Sequence, residues 1–309
     1  MALLKVRSLK VHYPIKNGIL GSTSGWLKAV DSVSFSIEPG QTMGIVGASG
    51  SGKSSIAKAI LGLTKTTSGV ILLKGKDITK PMKKNRSPYR RSIQMLFQNT
   101  DASFNPRKKI LDILAEPLRN FEKLTKAEES KRIDEVLSLV GLTNKDALKY
   151  PHELSEGQRL CIGLGRAIAL KPKLIIADDP LSVLDISVQV QILEYFKAIQ
   201  ENFGIAYLFF SRDLSIACHI CSHLAILHNA RFVEYGIKND ICKNPAHIYT
   251  KRLLAAIPDI NPNNKTKNAE YRAAIETEYA DQRSHYYKKN GIGVYNLKPL
   301  SDTHFAALP

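Results

Sequence analysis

Gly47-Ala48-Ser49-Gly50-Ser51-Gly52-Lys53-Ser54 fits the pattern G-x-x-x-x-G-K-[ST] at every defined position, and its neighbours decide how it is read. Thr42 to Val46, just before it, is a short apolar run that predicts a strand, and Ile56 to Leu63 after it predicts a helix. A glycine-rich loop between strand and helix is a phosphate cradle. The glycines let successive backbone N–H groups curl around an anion, and the helix N-terminus adds a favourable potential. In such a loop Lys53 reaches the β- and γ-phosphates of a nucleoside triphosphate and Ser54 offers a hydroxyl to Mg²⁺. Gly47, Ala48, Ser49, Gly50, Ser51, Gly52, Lys53, Ser54 and Ser55 are therefore the candidate nucleotide-binding residues. A glycine-rich turn carrying a surface lysine would need neither flanking element.

The rest of the chain predicts an α/β fold. Val33 to Ile37 alternates like a half-buried strand, while Leu174 to Ala177 and Ala206 to Phe210 are the short apolar runs of strands buried on both faces of a parallel sheet. Val188 to Ile199 reads as the crossover helix between them, and Pro106 to Leu142 as a Glu/Lys/Leu-rich helical stretch. Leu174 to Ala177 runs into Asp178-Asp179-Pro180. A carboxylate at the end of a buried strand is where an α/β sheet presents groups to its ligand. Asp178 suits Mg²⁺ held through water and Asp179 suits orienting or deprotonating an attacking water; taken alone, the pair could equally be acids that end a strand. Past Pro258 the sequence turns polar, with Asn261-Pro262-Asn263-Asn264-Lys265, and a boundary is expected there.

Composition narrows the class. With 309 residues, 44% hydrophobic and 23% charged, the chain can bury a sizeable core, which excludes wholesale disorder. No apolar run approaches the ~20 residues of a membrane-spanning helix, and the start Met1-Ala2-Leu3-Leu4-Lys5-Val6-Arg7 shows no signal peptide. Four cysteines, at 161, 218, 221 and 242, are too few for a disulfide scaffold, and a cytosolic chain with buried thiols is expected. Cys218-His219-Ile220-Cys221 resembles half of a metal knuckle, but no second pair follows at zinc spacing. The net charge of +16 asks for an anionic partner. Eight basic residues and one acid lie between Lys74 and Arg91, as an ordinary solvated loop or as a surface facing anionic lipid. With Tyr89 the one aromatic among them, nucleic acid is not expected.

Further motifs stand in a fixed order. Gln98 follows Ile93-Gln94-Met95-Leu96-Phe97, Leu154-Ser155-Glu156-Gly157-Gln158-Arg159 precedes the acidic strand, and Ser182-Val183-Leu184-Asp185 follows it. Together with Ala102-Ser103-Phe104-Asn105-Pro106-Arg107, Tyr150-Pro151-His152-Glu153 and Asn244-Pro245-Ala246-His247-Ile248-Tyr249-Thr250, they resemble the ATP-binding subunits of bacterial oligopeptide/dipeptide ABC importers over residues 3 to 258. The tail His304-Phe305-Ala306-Ala307-Leu308 is also similar to the ends of some members. The resemblance implies an ABC-type P-loop domain over 1–258, with a helical signature subdomain at about 100–165 and a C-terminal extension over 259–309 of open function. It implies a subunit on the cytoplasmic face of the membrane, under two transmembrane permease subunits served by an extracytoplasmic solute-binding protein. A second ATP-binding subunit would face it, with ATP between one chain's loop and the other's Ser155, Gly157 and Gln158. Tyr13 stands where the family stacks an aromatic on adenine, unless it is a core aromatic beside Pro14, and Gln98 would sense Mg²⁺ and the attacking water.

Three positions depart from the family pattern. Asp179 replaces the catalytic glutamate, which withdraws the carboxylate by about 1.5 Å, one C–C bond; a misplacement of that order costs ~10²-fold in rate. Arg212 replaces the switch histidine and is permanently cationic. Glu156 replaces the first signature glycine. The expectation is an ATP-binding but slow site working in a heterodimer, set against the alternatives that Asp179 and Arg212 compensate one another, that the chain senses ATP without hydrolysing it, or that it is a soluble switch acting on nucleic acid.

Overall fold

The computed structural model describes residues 1–17, 22–80, 87–98, 103–257, 265–288 and 293–309. The expected boundary after Pro258, the Asn261–Asn264 stretch, Ala102, and Lys83, Lys84 and Arg86 of the basic cluster lie outside these residues. The elements run β1 (Leu4–Asn17), β2 (Ser22–Ile37), β3 (Thr42–Val46), α1 (Lys53–Ile60), β4 (Ser68–Leu73), β5 (Lys76–Asp77), α2 (Ser87–Ser92), β6 (Ile93–Leu96), α3 (Ile110–Phe121), α4 (Lys126–Leu139), α5 (Asn144–Ala147), α6 (Glu156–Ile168), β7 (Leu174–Asp178), α7 (Ile186–Phe203) and β8 (Ala206–Ser211). They continue with α8 (Leu214–Ile220), β9 (His223–His228), β10 (Arg231–Ile237), α9 (Lys238–Lys243), α10 (Ile248–Ala255), α11 (Lys265–Tyr286), β11 (Tyr287–Lys288), β12 (Gly293–Val294), β13 (Lys298–Pro299) and β14 (His304–Ala306). They form two compact bodies: 1–3, 37–41 and 81–209, and 4–36, 42–80 and 210–309.

In the first body β6 and β7 pair in parallel, Ile93 opposite Leu174 through Leu96 opposite Ala177. Leu174 to Ala177 are wholly buried, as expected of strands covered on both faces. The single helical stretch expected from Pro106 to Leu142 is two helices. Glu122 is extended, and the Thr125 hydroxyl then accepts from Glu128 N–H while the Glu128 carboxylate accepts from Thr125 N–H. This reciprocal cap starts α4 afresh. Arg166 of α6 is buried enough to lower its pKa by desolvation; it donates to Ser103 O and Oγ and lies 4.9 Å over the Phe104 ring. That is the local job of the Ser103-Phe104 stretch.

The second body holds an antiparallel sheet in the order β2-β1-β4-β5 and, beside it in sequence, strands ordered β13-β14-β10-β9-β3, with β3 and β9 parallel. The N-terminal strand escaped sequence reading for a specific reason. Leu4 and Val6 are buried, then Leu9 and Val11: the inward set switches from even to odd across a register shift between Arg7 and Lys10, where Ser8 sits at φ +45°. One extra residue at a bulge destroys the period-2 signal. The extension is ordered where described: α11 buries Ile275 and Tyr279, and β14 adds a strand to β10 with Tyr235 opposite Phe305.

Cys218 and Cys242 are joined in a disulfide, with Cα atoms 6.4 Å apart, which corrects the expectation of thiols at those two positions. The chain turns back from α8 to α9 and brings them together. Cys161 and Cys221 are buried thiols; burial pushes Cys161 up to about 12 and Cys221 higher still.

Candidate functional site

The loop and its supports belong to the second body. β3 delivers the chain into the loop: Gly47 N–H donates to Ser211 O at the end of β8, so Arg212, exposed, is the residue just past that contact. α1 begins at Lys53 rather than Ile56, because Gly52 takes φ +113° and turns the chain into the helix. A Cβ at Gly52 would stand 2.1 Å from the Ala29 carbonyl oxygen, whereas one at Gly50, at φ +76°, would meet nothing within 4 Å. Lys53 is buried, and its ammonium donates to Gly47 O at 2.6 Å and Ala48 O at 2.8 Å. The lysine thus bridges the loop it would serve. Ser51 Oγ is buried with no hydrogen-bond partner among the described residues, the kind of orphan a bound anion or its water satisfies. Ser54 is exposed on the first turn of α1. Tyr13 is half-buried on β1 and its phenol donates to Ser55 Oγ at 3.4 Å. Glycines that a Cβ would displace, a bridging ammonium and an orphan hydroxyl fit a polyphosphate.

Sequence reading assigned Tyr249 no role, yet it touches the loop. Its phenol is hydrogen-bonded by the Ala48 backbone, while burial pushes its pKa up. The ring lies 3.9 Å from that of His228 and 6.4 Å from that of Tyr279 on α11. Glu234, wholly buried on β10, accepts from Ala246 and His247 N–H at 2.7 and 3.1 Å, and its Oε1 lies 2.7 Å from His304 Nε2. His247 Nδ1 accepts from Tyr249 N–H and caps α10. The Asn244–Thr250 motif is therefore a clamped turn that aims Tyr249 at the loop. The one available signal was an acid inside an apolar strand.

The first body carries the other candidates. Asp178 ends β7 half-buried; Asp179 follows, 6% exposed and at φ +51°, a conformation aspartate tolerates better than most residues. Ser182 Oγ donates to Asp179 O at 3.1 Å and lies 3.3 Å from Gln98 Nε2, so the structure strings Gln98, Ser182 and Asp179 together. Gln189 donates to Leu181 O and Leu184 O and pins that loop. At the start of α6 the Ser155 hydroxyl accepts from Gln158 N–H, Gln158 Oε1 accepts from Ser155 N–H, and Gly157 sits in the first turn. Glu156 and Ser155 are exposed, so the acid at 156 costs the fold nothing in desolvation.

Residues 30–182 match the ABC transporter family and residues 233–283 match the oligopeptide/dipeptide transporter C-terminal region. The chain is 46% identical over 307 residues to the oligopeptide transport ATP-binding protein OppF of Lactococcus lactis subsp. lactis (strain IL1403), covering 99% of this chain and 96% of that protein. It belongs to the oligopeptide-type ABC transporter ATP-binding family. The oligopeptide transport ATP-binding protein AppF of Bacillus subtilis (strain 168) is 42% identical over 257 residues, 83% of this chain and 78% of that one. Among solved structures, cbiO1 from Clostridium perfringens, described as part of the ABC transporter complex cbiONQ, has a TM-score of 0.69 at 25% identity, covering 82% and 95% of the two chains. A dimeric ATP-binding cassette in a post-hydrolysis state with ADP and Pi has a TM-score of 0.67 at 25% identity, covering 76% and 98%. This family member has no described helix long and apolar enough to cross a membrane.

Proposed function

We propose that this chain binds and hydrolyses ATP at the cytoplasmic face of a membrane, in a heterodimer with a second ATP-binding subunit, and so drives import of oligopeptides or dipeptides through two transmembrane permease subunits that an extracytoplasmic solute-binding protein supplies. The observation that carries the reading is the Gly47–Ser54 loop, with Lys53 bridged across it and Ser51 Oγ orphaned inside it. Its backbone amides and Lys53 hold the phosphates; Tyr13 takes the adenine. Ser54, Gln98 and Asp178 are the hard oxygen donors that suit Mg²⁺, which neutralises phosphate charge when bound. Asp179 orients the attacking water and takes its proton, and Arg212 holds the γ-phosphate. Ser155, Gly157 and Gln158 serve the nucleotide of the opposing subunit from the start of α6, whose N-terminal amides favour an anion.

Asp179 and Arg212 both depart from the family pattern at positions tied to hydrolysis while the loop is intact, and this supports an asymmetric pair in which the chain's own site turns over slowly. Two reconstituted heterodimers test it, one carrying Lys53→Ala and the other the partner's equivalent change, compared in single-turnover hydrolysis. The expected result is near-normal turnover with Lys53→Ala and loss with the partner's change. If Lys53→Ala abolishes turnover and the partner's change does not, the asymmetry is wrong. If both abolish it, Asp179 and Arg212 compensate one another.

A further inference from the structure

A cavity of about 410 Å³ opens beside the phosphate loop within the second body, and Lys28, Asp31, Gly50, Arg231, Lys288 and Val294 are among its lining. Three of these are cations and one is a carboxylate. The carboxylate is already spoken for: Arg231 lies 3.0 Å from Asp31 and Lys10 3.7 Å. Burial alone would raise the Asp31 pKa, but Arg231, Lys10 and Lys28 outweigh it and hold the group below its ordinary value. Lys28 and Lys288, both exposed, add positive charge next to Gly50; Lys28 also acts on Asp31, and the Lys288 ammonium lies 5.6 Å over the Tyr295 ring. Gly50 is both a lining residue of the cavity and the part of the loop where a Cβ would meet nothing.

Lys288 comes from the far end of the sequence, yet its place is fixed. Successive residues of a strand point to opposite faces. Tyr287, its neighbour on β11, is 2% exposed and packs its ring 5.5 Å from His228 and 5.7 Å from His247. His228 in turn packs its ring, tilted by 33°, 3.9 Å from that of Tyr249, which is hydrogen-bonded to the Ala48 backbone. A chain of ring contacts thus ties the strand that carries Lys288 to the loop it overlooks.

We propose that Lys288, carried by the C-terminal extension, is a nucleotide-positioning residue that with Lys28 adds cationic contacts to the phosphates of the nucleotide held by this chain's own loop. The extension is then a wall of the ATP site. The inference rests on the reading of the loop as an ATP site.

The test is equilibrium binding of ATP, adenosine and inorganic phosphate to the full chain, at low and at physiological salt. Lys288→Gln should weaken ATP about fivefold, the upper end for an exposed charge contact, and lessen the salt dependence of ATP binding. Adenosine should stay within twofold, Lys288→Arg should keep wild-type affinity, and Lys267→Gln, an exposed extension lysine on α11, should change nothing. The proposal is overturned if Lys288→Gln leaves ATP within twofold. It is equally overturned if adenosine weakens in parallel, which would mark a structural role, or if only inorganic phosphate responds, which would mark a separate anion site. Lys53→Ala separates the two readings: if it leaves ATP binding intact, the ATP-site assignment itself fails, whereas loss with Lys53→Ala and no effect of Lys288→Gln overturns this inference alone.

Discussion

Two glycines in one loop, both at positive φ, should respond differently to the same added methyl group. Gly52 has φ +113° and its Cβ would lie 2.1 Å from Ala29 O; Gly50 has φ +76° and an open surrounding. Left-handed backbone costs a non-glycine residue about 1–2 kcal/mol, and alanine returns about 0.4–1 kcal/mol by restricting the unfolded chain. Gly50→Ala therefore costs roughly 1 kcal/mol or less. At Gly52 the overlap is with a backbone carbonyl on β2 that cannot rotate away, adding about 1–3 kcal/mol of overpacking strain. The sum, about 1–4 kcal/mol, is a substantial part of the ~5–15 kcal/mol of a typical domain. For a chain of this size 1 kcal/mol moves the melting temperature by roughly 2–4 °C. Thermal unfolding without nucleotide should show Gly50→Ala within about 4 °C of wild type and Gly52→Ala lower than Gly50→Ala by about 2–12 °C. With ATP added, wild type should gain stability by mass action and Gly52→Ala should gain less, because the loop must shift to clear Ala29. Equal losses in the two variants, or a Gly52→Ala protein that melts like wild type, would refute the steric argument.

Two other perturbations probe the C-terminal clamp. Glu234→Ala leaves Ala246 N–H, His247 N–H and His304 without their acceptor and should cost about 3–5 kcal/mol, with hydrogen exchange rising first in His304–Ala307; unchanged protection there would show that the tail is held by something else. Acid should weaken the same region: burial, with Arg283 and Arg252 nearby, lowers His228 to about 4, and burial with His228 nearby lowers His247 to about 3. Both rings are then neutral in the folded chain when the unfolded chain protonates near 6.5. Below that pH the unfolded state binds more protons, so stability is complete above about 6.5 and falls toward 4, by at most ~1.4 kcal/mol per pH unit for each ring. Urea midpoints between pH 7.5 and 5 measure it; His228→Phe should flatten the fall, and an equally steep fall in that variant would exclude the ring.

What was legible in the sequence was contiguous. The phosphate loop is eight residues in a row flanked by apolar runs, and β3, β7 and β8 announce themselves because strands buried on both faces need no alternation. Capping could have split Pro106–Leu142, since Thr125 and Glu128 have the spacing of a capping box. Contacts across long separations carry no such mark. Tyr249 reaches Ala48 over some two hundred residues, and Cys218 meets Cys242 because the β9–β10 hairpin brings α8 and α9 side by side. Glu234 reads as a misplaced acid until the His247 turn and the His304 strand close around it.

The extension's attachment bears on what Lys288 can do. α11 buries only Ile275 and Tyr279 on the described part of its surface. Its other ties include the Tyr286 ring 4.9 Å from that of His247, Arg252 to Glu276 at 2.6 Å, Arg272 to the carbonyls of Ala255 and Ile257, and Arg252 over the Tyr279 ring at 4.6 Å. Exposed ion pairs contribute about 0–1 kcal/mol each, while a buried tyrosine contributes about 1.5–3 kcal/mol or more from its ring area. Within α11 and β11 the docking energy therefore resides mainly in Ile275, Tyr279 and Tyr287, and the two tyrosines pack on rings that lead to Tyr249 and Ala48. The α11–β11 segment is thus held in part through the neighbours of the phosphate loop. Any shift of Ala48 that carries Tyr249 with it also moves the seat of Tyr287, and with it the cation one residue further on.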